Sequence, residues 1–454
     1  MQAKHGGATG RVRLFGQAHS SEAYQIRDLL TRSVVAFDWI ELGSDEDCRR
    51  ELGLAISDAR LPVVELPDGG RMSAPSLREL AERLGWVTQP KLREYDLSIY
   101  GAGPAGLSAA VYAASEGLRA VIIERQAVGG QAGSSSMIEN YMGFPQGIAG
   151  AELAERARQQ AVKFGVELVM MQEGVRGEFH DNRIWVDLAD GSKMVARANI
   201  CATGVEWRRL GLPNEQRLLG AGLYYGAGLS EAPLCHGEHV VVIGGGNSAG
   251  QAVMHFAAHA RQVTMLARGT SLGETLSEYL ATRILREPNV DVRYSSEVTG
   301  LDGEGFLSRI AITDRGSGAV DWLDTRRVFV CIGGVPNTDW ARDTPIVRDR
   351  AGYLVTGMDL IEGGKFPGCW PLERPPFYLE TSVPGSFAAG DVRRNSIKRV
   401  ASAVGEGAMA VAFVHRYLEE TAQRTLSKIP ASEATRREHG TGHPRHALPS
   451  SPHS

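Results

Sequence analysis

Two glycine-rich turns hold the residues in this chain best suited to chemistry. In Leu97–Ala110, LSIYGAGPAGLSAA, the glycines Gly101, Gly103 and Gly106 form G-x-G-x-x-G between a short apolar run and a stretch of helical spacing. The first glycine permits a tight turn, the second lets a pyrophosphate approach the backbone, and the third lets helix and strand pack closely. The helix start offers unpaired N–H groups and the positive end of its dipole to phosphate oxygens. The next apolar run, Arg119–Ile123, closes on Glu124, 18 residues past Gly106, where a carboxylate suits ribose hydroxyls. The second turn, GGGNSA, follows the strand-like His239–Ile243. It reads G-x-G-x-x-A through Gly244, Gly246 and Ala249, with Asn247 and Ser248 between. Its partner run, Gln262–Leu266, leads to Arg268, 19 residues past Ala249, and an arginine there favours the 2′-phosphate of NADP over the free hydroxyls of NAD.

The thiols make a poorer case. Cys48, Cys201, Cys235, Cys331 and Cys369 lie far apart, with no C-x-x-C and no zinc spacing. Cys201 and Cys331 sit inside apolar strands and read as core residues. At 454 residues, 43% hydrophobic and 22% charged, the chain has the composition of a globular protein of two to four domains. A net charge of −4 argues against a nucleic-acid surface or a polybasic membrane contact. There is no long apolar run and no signal-peptide core in MQAKHGGATGRVRL, so the expectation is a cytoplasmic, reduced protein without a structural metal.

The elements that must position these residues follow in order. Residues 1–10 are expected to be disordered. Residues 11–88 read as a compact unit with strands at Arg11–Gly16, Phe37–Leu42, Leu61–Leu66 and Arg71–Ser73, and helices at Ser21–Thr31, Asp45–Leu54 and Ala74–Leu84. That order resembles the thioredoxin/glutaredoxin fold, with Pro62 at the family's cis-proline position. The family's C-x-x-C would fall on Ser20, Ser21, Glu22 and Ala23, so both thiols are missing and a serine is left to cap the helix. The unit is expected to dock a partner rather than carry electrons. After Glu124-Arg125, the glycine- and serine-rich stretch places Gly129, Gly130 and Gln131 to offer amides to a ligand. A helix over Ala151–Phe164, two or three strands over Val166–Val195 and a strand over Ala198–Gly204 come next. Further on, a helix is expected over Gly250–His259, an apolar strand over Val328–Asn337, which resembles a family's return strand into its first dinucleotide domain, and a helix over Gly405–Tyr417. Ile361–Tyr378, with Phe366, Trp370, Phe377 and Tyr378 among prolines, reads as a packed surface loop, a cover over a cavity or a partner contact. From Thr421 the chain loses apolar residues and is expected to be a disordered tail.

GAGPAGLSAA, GGQ, IENYMGFP, the CATG strand end and FAAGDV together resemble the thioredoxin reductase family over Asp96–Glu420. The resemblance implies an α/β fold with two dinucleotide-binding Rossmann-like domains behind the N-terminal thioredoxin-like one. An FAD domain would span 94–208 and 326–420, an NAD(P) domain 209–325, and a tail 421–454. FAD contacts would be Gly101, Gly103, Pro104, Ala105, Gly106, Glu124, Arg125, Gly130, Gln131 and Asn140, joined by Gly390, Asp391, Arg399, Val400 and Ala401. NADPH, with NADH as the other possibility, would meet Gly244, Gly246, Asn247, Ser248, Ala249 and Arg268. Gly269-Thr270-Ser271 stands where the family carries two further basic residues. The resemblance also implies a homodimer.

The family's redox dithiol is absent. Aligned from Gly222, its two cysteines fall on Gly226 and Leu229, and the following acid on Ser230 or Glu231. Cys235 alone forms no internal disulfide unless Cys48 or Cys369 meets it in space. The expected reaction is hydride transfer from NADPH or NADH to FAD, then onward to an acceptor other than a dithiol: a small molecule, a quinone, oxygen or a one-electron carrier protein. That transfer needs no side-chain acid or base, so no catalytic residue is assigned. Two other readings stand beside it: a redox-sensing or scaffolding flavoprotein, and a disulfide reductase using Cys235 with an external thiol.

Overall fold

The computed structural model describes residues 11–427 except 59, 87, 88, 136, 227–230, 362–367 and 369. The first unit is β1 (Val12–Gly16), α1 (Ser21–Arg32), β2 (Phe37–Glu41), α2 (Asp45–Leu52), β3 (Val63–Glu65), β4 (Arg71–Ser73) and α3 (Leu77–Arg83). The sheet runs β2-β1-β3-β4, with β1 parallel to β2 and the other pairs antiparallel. The Leu61–Pro62 bond is cis. Val12, Leu14, Ile26, Leu30, Val64 and Leu80 close its core. Ser20 caps α1, its side chain accepting from the Ala23 N–H.

The largest sheet starts with β5 (Glu94–Tyr100), the glycine turn, α4 (Pro104–Ser115) and β6 (Ala120–Glu124). It continues through α5 (Gly150–Lys163), β7 (Glu167–Met170), β8 (Gly174–His180), β9 (Arg183–Leu188) and β10 (Lys193–Cys201). The order is β7-β6-β5-β10-β9-β8, parallel from β7 to β10 and antiparallel beyond. All five residues of β6 are buried, as for a parallel strand covered on both faces.

Through β11 (Val205–Trp207) and the one-turn α6 (Glu215–Leu218) the chain enters a second parallel sheet. Its strands are β12 (Leu223–Tyr225), β13 (His239–Ile243), β14 (Gln262–Leu266) and β15 (Val290–Arg293), with α7 (Asn247–Ala257) and α8 (Glu278–Arg286) between them. An antiparallel sheet of β16 (Ser296–Asp302), β17 (Arg309–Asp314) and β18 (Val320–Asp324) precedes β19 (Arg327–Val330), which inserts between β12 and β13. The single strand expected over Val328–Asn337 is broken after β19, and β20 (Gly334–Pro336) pairs with β11 instead. Gly333, with φ +87, makes the break.

The chain then returns to the largest sheet, where β21 (Ser386–Ala388) pairs with β10, and ends in α9 (Val400–Ser427). α9 packs its small residues on the alanine face of α4. A Cβ on Gly407 would sit 2.1 Å from the Ala105 carbonyl oxygen, so only glycine allows that approach. The helix passes both the expected end at Tyr417 and the expected start of the tail at Thr421. The Arg424–Glu420 ion pair and the Thr421 hydroxyl bonded to the Tyr417 carbonyl carry the extra turns. Residues 1–10, the tail beyond Ser427, Cys369, Leu229, Ser230 and Phe366 lie outside the described residues.

Candidate dinucleotide site

A cleft of about 1170 Å³ joins the two glycine turns. At the first, Gly101 has φ +101, and a Cβ there would meet the Ala202 carbonyl oxygen at 2.5 Å. A Cβ on Gly106 would lie 1.9 Å from the Gly101 carbonyl oxygen, so this glycine holds helix against strand. Gly103 is different. A Cβ there would meet nothing nearer than the Gly130 Cα at 4.0 Å, which leaves open space over the turn of the size a pyrophosphate needs. α4 begins on Gly103 with no side-chain cap, and its first N–H groups are left for a ligand. Glu124 is buried at the end of β6 and accepts from the N–H groups of Ala102 and Gln126, each at 2.8 Å, which fixes its carboxylate at the cleft wall. The residues present fit a bound dinucleotide.

The second turn repeats the plan. A Cβ on Gly244 would meet the Cys331 carbonyl oxygen at 2.3 Å and the Ala249 Cβ at 3.0 Å, whereas Gly246 has open space before it. Ala249 is fully buried under the turn, which is why alanine serves there. α7 starts on Gly246, again without a side-chain cap. The Asn247 side chain is already engaged, accepting from the Ser277 N–H at 2.9 Å. Arg268 is exposed at the end of β14 and lines the cleft.

The expected site residues Gly101, Gly103, Pro104, Ala105, Glu124, Arg125, Gly130, Gln131, Gly390, Asp391, Arg399 and Val400 line this one cleft. Gly244, Gly246, Asn247, Ser248 and Arg268 line it too. Gly106 and Ala249 act from beneath the turns. Asn140 and Ala401, also expected at the cofactor, are exposed and lie outside the lining of this cleft. Asn140 lies within the loop closed by the short bridge between Ile138 and Ile148. Two other side chains serve the walls: Gln131 donates to the Val205 carbonyl at 2.7 Å, and Arg125 pairs with Glu206 at 2.5 Å. Burial, with Glu406 adding to it, pushes the Asp391 carboxyl above the usual range against the pull of Lys398. Lys398, which the sequence leaves between solvent and phosphate, donates to the Asp391 carbonyl at 2.6 Å and lines the cleft.

Sequence reasoning missed Trp207, Trp340, Tyr353 and Arg32, all in the cleft lining. The aromatics lie in stretches with no motif, and Arg32 comes from the N-terminal unit.

Cys48, Cys201, Cys235 and Cys331 are free and buried. Burial pushes the thiols of Cys201, Cys235 and Cys331 up to about 12, so they stay protonated. Cys235 and Cys48 belong to different cores and do not meet. Among the described residues no group of three or more His, Cys, Asp or Glu is placed to hold a metal ion, and no helix is long and apolar enough to cross a membrane.

The family model of the pyridine nucleotide-disulphide oxidoreductases matches residues 95–407. The chain belongs to this family. Within it, the chain is 34% identical over 326 residues to the thioredoxin reductase of Treponema pallidum, covering 72% of this chain and 98% of that one. It is 33% identical to the thioredoxin reductase of Bacillus subtilis, covering 74% and 98%. The structure is similar to that of T. acidophilum thioredoxin reductase, with TM-score 0.64 and 28% identity over 73% of this chain and 100% of that one. This pyridine nucleotide-disulphide oxidoreductase is a thioredoxin reductase-like enzyme, and its cofactors are FAD and a nicotinamide dinucleotide. The matched region leaves the N-terminal unit outside it.

Proposed function

We propose that the enzyme passes electrons from NADPH to FAD and then to an acceptor that is not a dithiol. The carrying observation is the fate of the thiols. Gly226 stands at the first cysteine position of the relatives' dithiol, its backbone in the left-handed region at φ +88. A Cβ there would lie 2.8 Å from the Trp207 ring. Cys235 is buried, held protonated and hydrogen-bonded through sulfur to the Glu231 carbonyl at 3.3 Å, an environment that suits core packing rather than thiolate chemistry.

When bound, the two cofactors supply the hydride chemistry themselves. The protein binds and orients. In this reading residues 94–208 and 326–420 hold FAD, with α4 and the Gly103–Gly130 gap taking its pyrophosphate and Glu124 its ribose. Residues 209–325 hold the nicotinamide dinucleotide on α7, and Arg268 meets the 2′-phosphate. Trp207, Trp340 and Tyr353 wall the space between the turns and keep water out. Residues 11–88 form a thioredoxin-like unit without the active-site cysteine pair; its strand order and the helix-capping Ser20 support that reading. By its resemblance to the thioredoxin reductases the enzyme is a homodimer.

Anaerobic stopped-flow reduction of the FAD-loaded protein tests this. NADPH is expected to bleach the flavin faster than NADH, and Arg268→Ala to raise the KM for NADPH by about tenfold while leaving that for NADH unchanged. Turnover is expected with ferricyanide or a quinone and not with a dithiol-specific disulfide substrate. Bound FAD that neither nucleotide reduces would sink the enzyme mechanism, and Cys235-dependent disulfide reduction would overturn the choice of acceptor.

A further inference from the structure

The N-terminal unit does not hang free of the nucleotide-binding sheets. The start of α1, where a dithiol would lie in the thioredoxin fold, is closed: a Cβ on Gly220 would meet the Ser21 Cα at 3.0 Å, and His19 stacks on Phe306 at 5.1 Å. Nearly two turns on, Arg27 is 1% exposed and donates from Nε and Nη2 to one oxygen of Glu231, at 3.1 and 2.8 Å. The other Glu231 oxygen takes Arg327 of β19 at 3.3 Å, and Tyr24 packs edge-on to Tyr224 of β12. Removing one member of so buried a charge cluster leaves the others uncompensated, which fixes α1 to the second parallel sheet. At its last residue, α1 turns to the other nucleotide turn. Arg32, paired with Asp28 at 3.5 Å, donates from Nη2 to the Gly130 carbonyl at 3.1 Å and lines the cleft.

We propose that Arg32 is a positioning residue of the FAD site and that α1 is the strut from which it acts. The inference rests on the flavin reading given above. Gly129 and Gly130 have φ +102 and +53 and no side chains to brace them. A Cβ on Gly130 would lie 3.2 Å from the Gly103 Cα, so the place of Gly130 sets the width of the gap over Gly103. A trans peptide is planar, so holding the Gly130 carbonyl against α1 aims the Gln131 N–H the opposite way. No acceptor within the described residues takes that N–H. Arg32 thus presets an amide donor and the gap together, from a unit that the dinucleotide motifs do not include. Because α1 is also fixed to the nicotinamide-side sheet through Glu231, flavin binding and docking of the N-terminal unit are linked, and linkage is reciprocal.

The experiment uses the full chain, stripped of flavin and titrated with FAD, with the visible circular dichroism of the bound flavin as second readout. Arg32→Leu is expected to weaken FAD binding by about tenfold or more, the size of one hydrogen bond from a charged donor, and to change the flavin dichroism. Arg32→Lys, which keeps a charged donor, should restore most of both. Affinity and dichroism unchanged in Arg32→Leu overturn the proposal. Should that variant fail to fold, Arg32→Gln takes its place, with weaker binding expected and wild-type binding overturning the proposal. A wild-type protein that binds no FAD overturns the flavin reading itself, and is told apart from failure of the strut by the wild-type titration alone.

Discussion

The helices of the N-terminal unit and those of the glycine turns meet one requirement in opposite ways. Every α-helix starts with N–H groups that lack an intrahelical acceptor. In α1, α2 and α3 a serine provides it: Ser20 accepts from the Ala23 N–H, Ser44 from Asp47 and Ser76 from Glu79, the last within a full capping box. α4 and α7 start on Gly103 and Gly246 with no side-chain cap and no acid in the first turn. α5 and α8 also lack a side-chain cap, but each carries an acid in its first turn, Glu152 and Glu278. Only the two turns of the cleft leave both the donors and the dipole unanswered among these seven helices, which is the arrangement that suits an external anion.

The sharpest way to break this contrast is to give a cleft helix its own cap. Gly103 has φ −75 and room for a side chain, so Gly103→Asp should fold. Its carboxylate would take the helix N–H groups and repel the pyrophosphate, weakening FAD binding on the order of 100-fold in a fluorescence titration. Retained affinity would mean that the start of α4 is not the phosphate site. Next in size is the response of the N-terminal unit to acid. Burial, with the cations Arg327, Arg326 and Arg27, holds the His19 imidazole down to about 4 from an ordinary 6.5. The unfolded chain therefore takes this proton first, so the His19 contribution is complete above pH 6.5 and is lost as pH falls toward 4. Thermal midpoints should decline over that interval, and His19→Phe should flatten the decline; an unaltered slope would show that other groups set it. The smallest effect sharpens the contrast from the other side. Ser76→Ala should cost about 1 kcal/mol in chemical denaturation and leave FAD affinity unchanged.

What the chain shows without its structure follows the reach of each signal. β13 and β14 occupy the residues read for them, because apolar runs bounded by turn residues are local facts. Both glycine turns were legible because steric need at Gly101, Gly106 and Gly244 is written in residue type. Arg27 and Glu231, 204 residues apart, were not: neither residue carries a mark of burial, and only tertiary packing makes the pair. Arg32 was missed for the same reason, and the break after β19 because Gly333 sits in a run that is otherwise apolar. The last turns of α9 rest on paired charges and a hydroxyl rather than an apolar stripe, so the hydrophobic pattern stops before the helix does. Asn140 rests on resemblance alone, and a motif carried over in that way does not say which side of a loop faces the ligand.

The Ser108 hydroxyl on α4 donates to the Val404 carbonyl of α9, 296 residues further along, and the same two helices share the packing in which Gly407 meets Ala105. Protein synthesis is vectorial, so α4 leaves the ribosome long before the helix that covers its alanine face exists. The sheet containing β12 to β19 is continuous in the chain and can close while the earlier sheet still waits. The packing of α4 against α9 is therefore a late event in the birth of this enzyme. A message cut short before residue 400 would leave the alanine face of α4 uncovered beside a closed second sheet, a product for chaperones and proteases rather than a smaller enzyme.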